Sequence, residues 1–208
     1  MSQNPETDFF TFFTLPRKLH VDTSALEKAF YTLSRKLHPD RFAAKPLAEQ
    51  EAALAQSSLL NDAYRTLKDP ILRTQYLLTL EGVELEEQSK TATEAARTSG
   101  TEKKQIVPPE LLEEVFELNM QLQEMRAAKK MGEDEPELRR DLLAAKDAFD
   151  ARMVETQAEL ETLWTQWDTA LEAGDRDTQT KARDAMVTLL NKRSYLRNLV
   201  RDVNEALE

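Results

Sequence analysis

The sequence predicts an all-α protein in two parts. A helical hairpin with flanking helices occupies residues 1–83, and an elongated antiparallel three-helix bundle occupies residues 106–208, giving an L-like outline. Three observations predict this. Glycine is scarce, four in 208 residues, and charged residues make up 32%, a composition that suits helices and argues against a β-sandwich or barrel. Apolar residues recur at alternating spacings of three and four in both parts, as on one face of an α-helix. One polar stretch, EGVELEEQSKTATEAARTSGTEKKQIVPP at residues 81–109, has no such stripe until its end. Its middle, residues 84–105, reads as a linker, and Pro108 and Pro109 mark where the next element starts.

The opening DFFTFFTLP is too short and too aromatic for a stable lone helix, so its rings are expected to pack on the elements that follow. Asp22 to Ser24 offers a helix start, and Ser24 with Glu27 has the form of a capping box. Leu26, Phe30, Leu33 and Leu37 then follow at spacings of four, three and four. A second helix is expected over 47–68, with Ala53, Leu60, Ala63, Tyr64 and Leu67 on one side. Asp69-Pro70 stops it and starts the next, because proline is tolerated at a first helical position. That helix carries Leu72, Tyr76, Leu77 and Leu80 and ends before Gly82.

The second part holds three amphipathic helices. Leu111, Val115, Leu118, Leu122 and Met125 form the first stripe. Leu138, Leu142, Ala145 and Phe149, then Leu160, Leu163, Trp167 and Leu171, mark a long helix over 136–173 that Gly174 breaks. Ala185, Leu189, Leu196, Leu199, Val203 and Leu207 close the chain. On a wheel at roughly 100° per residue, Leu112 and Phe116 fall near 100° and 140° from Leu111, off the stripe. They either widen the buried face or remain exposed as a protein contact.

Charge and composition remove several function classes. Net charge is −10. Residues 1–83 hold ten Lys and Arg against ten Asp and Glu, so the acidity lies wholly in residues 84–208. Within the first part, residues 17–45 carry seven basic against three acidic side chains, a basic island in an acidic chain. An acidic chain is a poor nucleic-acid binder, because phosphate neutralisation drives that affinity. There is no cysteine, which excludes disulfides, cysteine nucleophiles and cysteine-held metal or iron–sulfur centres and fits a reducing compartment. No signal peptide or membrane span is legible, and a cytoplasmic location is expected. With two histidines, His20 and His38, and no GxxxxGK[ST], neither a catalytic triad, a metal site nor a P-loop is expected. The chain is read as a non-enzyme without cofactor.

RKLHPDRF at residues 35–42 ends the first amphipathic helix. Proline pushes His38 out of the helical region and fixes its own backbone angle. Asp40 is then either a helix-stop residue or a carboxylate presented rigidly to a partner's arginine. Arg35, Lys36 and Arg41 surround it with charge suited to an acidic surface.

In its context this resembles a J domain. The resemblance covers about residues 8–80: DFFTFFTLP, the helix ending SRKLHPDRF, and LNDAYRTLKDPILRTQYLL. It implies docking on a DnaK-type chaperone and stimulation of that chaperone's ATPase. The contact is carried by His38, Pro39 and Asp40 with Lys28, Arg35, Lys36 and Arg41, while Tyr31 and Phe42 are open to either a contact or a core role. A J domain followed by an acidic three-helix part, with no Gly/Phe-rich or cysteine-rich region, is similar to the HscB type of iron–sulfur biogenesis. That resemblance implies two partners, an HscA-like DnaK-type chaperone and an IscU-like scaffold protein, with neither nucleic acid nor membrane among them. It also implies a scaffold-binding patch of Leu112, Val115, Phe116 and Asn119 with Tyr195. Where the family often has methionine after the first leucine, this chain has Glu113. Two alternatives stay open: a J-domain co-chaperone with another client, and a coiled-coil structural protein with an incidental HPD.

Overall fold

Helix-forming sequence accounts for the whole described structure. A computed structural model describes residues 8–83 and 108–208, and among these residues there is no strand. The linker assigned to residues 84–105 lies outside the described residues. No described helix is long and apolar enough to cross a membrane.

Helix α1 (Phe9–Phe12) is a single turn, too short to persist alone. Packing and caps hold it. Phe10 is fully buried, Phe9 stacks on Tyr76 with ring centroids 4.3 Å apart, and the Phe9 N–H donates to the Tyr76 hydroxyl at 2.9 Å. Asp8 caps the turn by accepting the Thr11 N–H at 2.9 Å, and Arg17 grips the other carboxylate oxygen at 2.7 Å.

Helix α2 (Thr23–Leu37) starts on Asp22, whose carboxylate accepts the Ser24 and Ala25 N–H groups. The Ser24–Glu27 capping box does not form, because Asp22 already satisfies those donors and Glu27 accepts instead from the Tyr64 hydroxyl at 3.3 Å. A 3-10 turn, Pro39–Phe42, leads to α3 (Leu47–Lys68), which spans the expected residues. Phe30 of α2 stacks on Tyr64 of α3 at 4.2 Å, and Leu26, Leu60 and Leu67 are buried. Asp69 caps α4 (Pro70–Leu80) with Pro70 in the first turn. Leu77 and Leu78 are both fully buried, while Leu72 is 39% exposed. Leu72 lies about 140° round the helix from Leu77, so the stripe expected there is corrected to Arg73, Thr74, Leu77 and Leu78.

Residues 8–83 form one compact unit together with Trp164–Arg183, a segment that the sequence reading left with the second part. It is the turn of a helical hairpin: α6 (Pro136–Ala173) ends and α7 (Arg176–Leu207) begins there. Gly174 sits at the junction with φ 68°, a left-handed angle that glycine adopts without penalty.

The second unit contains α5 (Leu112–Met131) and the remaining lengths of α6 and α7. The expected α5 stripe is its core. Leu111, Val115, Leu118, Leu122 and Met125 pack with Leu142 and Phe149 of α6 and Leu196, Leu199 and Val203 of α7. Burying each of these side chains contributes about 1.5–3 kcal/mol before entropy is counted. Ion pairs link the helices, with Glu114 to Arg152 at 2.7 Å and Glu110 to Lys192 at 3.5 Å. At 38 residues, α6 is about 57 Å long.

Candidate functional site

The first candidate surface is the turn after α2. His38 ends the helix in an extended conformation, φ −61° and ψ 127°, as the following proline requires. Pro39 opens the 3-10 turn, and the Arg41 N–H closes it on the His38 carbonyl at 3.0 Å. The Asp40 side chain is 88% exposed. Its carboxylate accepts no bond from the helix that follows, so capping α3 is not its role.

His38 Nδ1 lies 3.3 Å from the Asp40 backbone N–H and 3.5 Å from Asp40 Oδ2. The two contacts exclude each other, since the first needs an unprotonated nitrogen and the second a protonated one. The backbone bond is the one to assign: the amide hydrogen is fixed in place, whereas a carboxylate this exposed gains little from the pairing. With that bond made to the backbone, the Asp40 carboxylate keeps its acceptor positions for a partner.

The basic residues lie along α2 and into the turn. Lys28, Arg35, Lys36 and Arg41 are all exposed. Lys28, Tyr31 and Arg35 follow at spacings of three and four, which puts them on one face, and Tyr31 is itself 55% exposed. Phe42 is half-buried. Arg35 and Lys36 stand in the last turn of α2, where cations also complement the helix dipole. The Arg41 guanidinium reaches back to the Arg35 carbonyl at 3.4 Å.

The second candidate surface is the outer side of α5. Leu112 is 55% exposed and Phe116 69%; Asn119 is also exposed. Val115 and Tyr195 do not belong to this surface. Val115 is 6% exposed and Tyr195 8%, and both lie in the core of the bundle. Val115 falls on the Leu111–Leu118 stripe, and burial pushes the Tyr195 hydroxyl above its ordinary pKa. The reading from the sequence missed Met120, which is 58% exposed. Its signal was present, since Leu112, Phe116 and Met120 recur every four residues as a second apolar row. Glu113 and Glu117 border the row and are exposed, giving it an acidic rim. Among the described residues no cluster of His, Asp or Glu is arranged to hold a metal.

Comparison with known proteins follows the same division. Residues 8–76 match the DnaJ domain family. Three solved structures are similar over nearly the whole chain. Chaperone HscB from Vibrio cholerae is 25% identical with a TM-score of 0.57, covering 95% of this chain and 96% of that one. The human co-chaperone protein HscB is 24% identical, also at 0.57, with 99% and 84% covered. The Jac1 co-chaperone from Saccharomyces cerevisiae is 23% identical at 0.53, with 98% and 95% covered. Residues 8–76 thus match the DnaJ domain family and carry an outward His-Pro-Asp turn, and the chain as a whole is similar in fold to the HscB-type co-chaperones.

Proposed function

We propose that this chain docks its His38-Pro39-Asp40 turn on an ATP-loaded, HscA-like chaperone of the DnaK type and stimulates hydrolysis there. In the same act it delivers an IscU-like iron–sulfur scaffold protein and so promotes cluster transfer. The observation that carries the reading is the Asp40 carboxylate, 88% exposed on a turn whose first angle proline fixes. Such a group loses little conformational entropy on binding and offers its acceptors to a partner's guanidinium.

The chain supplies no group to the hydrolysis itself. It acts by binding the hydrolysis-competent state of the chaperone better than the resting one, which is the only way a ligand shifts such an equilibrium. Lys28, Arg35 and Lys36 steer the encounter toward an acidic surface. Leu112, Phe116 and Asn119, extended by Met120, form the client face. Its apolar row and acidic border suit a scaffold surface that is apolar with a basic edge.

The test uses purified components. Steady-state phosphate release by an HscA-like chaperone should rise when the full chain is added, and rise further with scaffold protein present. The scaffold should co-elute with this chain. No rise in phosphate release refutes the first half of the reading, and no co-elution refutes the second.

A further inference from the structure

Residues 17–20, which lead from α1 into α2, are bonded one after another to α6. The Arg17 carbonyl accepts the Trp167 indole N–H at 3.2 Å. Lys18 pairs with Glu172. The Leu19 N–H donates to Asp168 Oδ1 at 2.7 Å, and the His20 N–H donates to Asp168 Oδ2 at 2.9 Å. His20 Nδ1 stands 2.9 Å from the same oxygen. An ionised carboxylate only accepts, so Nδ1 carries the proton in this contact. From the other side, Arg73 Nε donates to the Leu19 carbonyl at 2.9 Å. The Leu19-His20 peptide is thus held at both its N–H and its C=O groups.

Asp168 is only 9% exposed. Burying a carboxylate is costly unless it is paired and bonded. Here three N–H donors satisfy it, and Arg73, which senses its charge, supplies a nearby countercharge. The indole rings complete the enclosure: Trp167 is 2% exposed and Trp164 4%, with the His20 ring edge-on to Trp164 at 6.3 Å. All these residues belong to the first compact unit, although Leu19 and Asp168 are 149 positions apart.

We propose that Asp168 is a positioning residue for the DnaJ domain. It fixes the Leu19-His20 peptide two residues ahead of Asp22, the cap from which α2 starts. Through that peptide it sets the start of the helix that carries the basic face and ends at His38. The domain whose sequence match stops at residue 76 is therefore completed by Trp164–Arg183. A copy lacking that segment is missing one of its own structural elements.

The test uses the full chain and its only two tryptophans, Trp164 and Trp167. Both lie at this clamp, so indole emission reports on it. Asp168→Ala should red-shift the emission and cut the hydrogen-exchange protection of the Leu19 and His20 amides at least ten-fold, while helicity by circular dichroism is kept. Asp168→Asn, which keeps one accepting oxygen, should fall between Asp168→Ala and the unmodified chain. Glu159→Ala, at an exposed position of the same helix, should change nothing. Wild-type emission and protection in Asp168→Ala overturn the proposal. Should that variant fail to fold, the same two readouts on Asp168→Asn decide it, and unchanged values there overturn it equally.

Discussion

Val115 and Phe116 are neighbours in the chain and point to opposite environments: Val115 is 6% exposed in the bundle core, and Phe116 is 69% exposed on the outer side of α5. Their alanine variants should separate two properties. Val115→Ala should cost about 1–3 kcal/mol of stability, because it leaves a gap among buried side chains. Phe116→Ala should stay within about 0.5 kcal/mol in stability yet weaken scaffold binding about ten-fold, the effect of losing an exposed aromatic anchor worth about 1.4 kcal/mol. Urea unfolding and titration calorimetry with the scaffold measure the two. Unchanged scaffold affinity in Phe116→Ala removes the client surface from α5, and chaperone ATPase stimulation should be the same in both proteins.

Charge on α2 should act on encounter more than on the fold. Lys28, Arg35 and Lys36 are exposed, and surface charges of this kind contribute little to stability. Reversing Lys28 and Arg35 to glutamate should raise the concentration needed for half-maximal ATPase stimulation at low salt. The difference should shrink as salt is added, since screening at about 0.15 M falls within about 8 Å. A deficit that salt leaves untouched argues against steering by this face.

Asp8 makes the N-terminal turn sensitive to acid. Partial burial by itself pushes its carboxyl up, but the Thr11 N–H and the Arg17 guanidinium outweigh that and hold it below its ordinary value of 3.8. A carboxyl whose pKa is lower folded than unfolded stabilises fully above the ordinary value and loses that contribution as pH falls through the folded one. Below about pH 4 the cap on α1 should therefore weaken. Thermal unfolding of the wild type should lose stability over that window, and Asp8→Asn should be less stable at neutral pH and flatter on acidification. Parallel pH profiles for the two proteins contradict the assignment.

Arg73 should resist even conservative change. Its buried guanidinium bonds the Leu19 carbonyl at 2.9 Å and also the Leu67 carbonyl; burial lowers its pKa from a value high enough that it stays charged. Lysine offers a point charge and no planar fork, so Arg73→Lys should cost about 1–3 kcal/mol, read as a lower Tm. A Tm equal to wild type shows that the fork is dispensable.

Periodicity and caps made most of the fold legible. The 47–68 helix and the Pro70 start are where the sequence places them, because Asp69-Pro70 is a local signal. The Leu111–Met125 stripe is buried for the same reason. Leu72 and the Ser24–Glu27 box failed, because which face turns inward, and which of two caps wins, depend on neighbours that local pattern does not encode. Val115 and Tyr195 are buried in the bundle core, an exposure that the family resemblance, which names positions alone, does not encode. Asp168 was illegible. One aspartate among 38 acidic residues carries no mark of a partner 149 positions away. The DnaJ match across residues 8–76 weighs against the incidental-HPD reading.

The most direct measurement is phosphate release by an HscA-like chaperone under single turnover, with the wild-type chain and with Asp40→Asn. The variant removes one full charge from a side chain 88% exposed, so its circular dichroism and Tm should match the wild type. Stimulation should fall at least ten-fold, the scale of one lost charge-assisted contact at about 1.4 kcal/mol. Full stimulation by a folded Asp40→Asn protein contradicts the central claim.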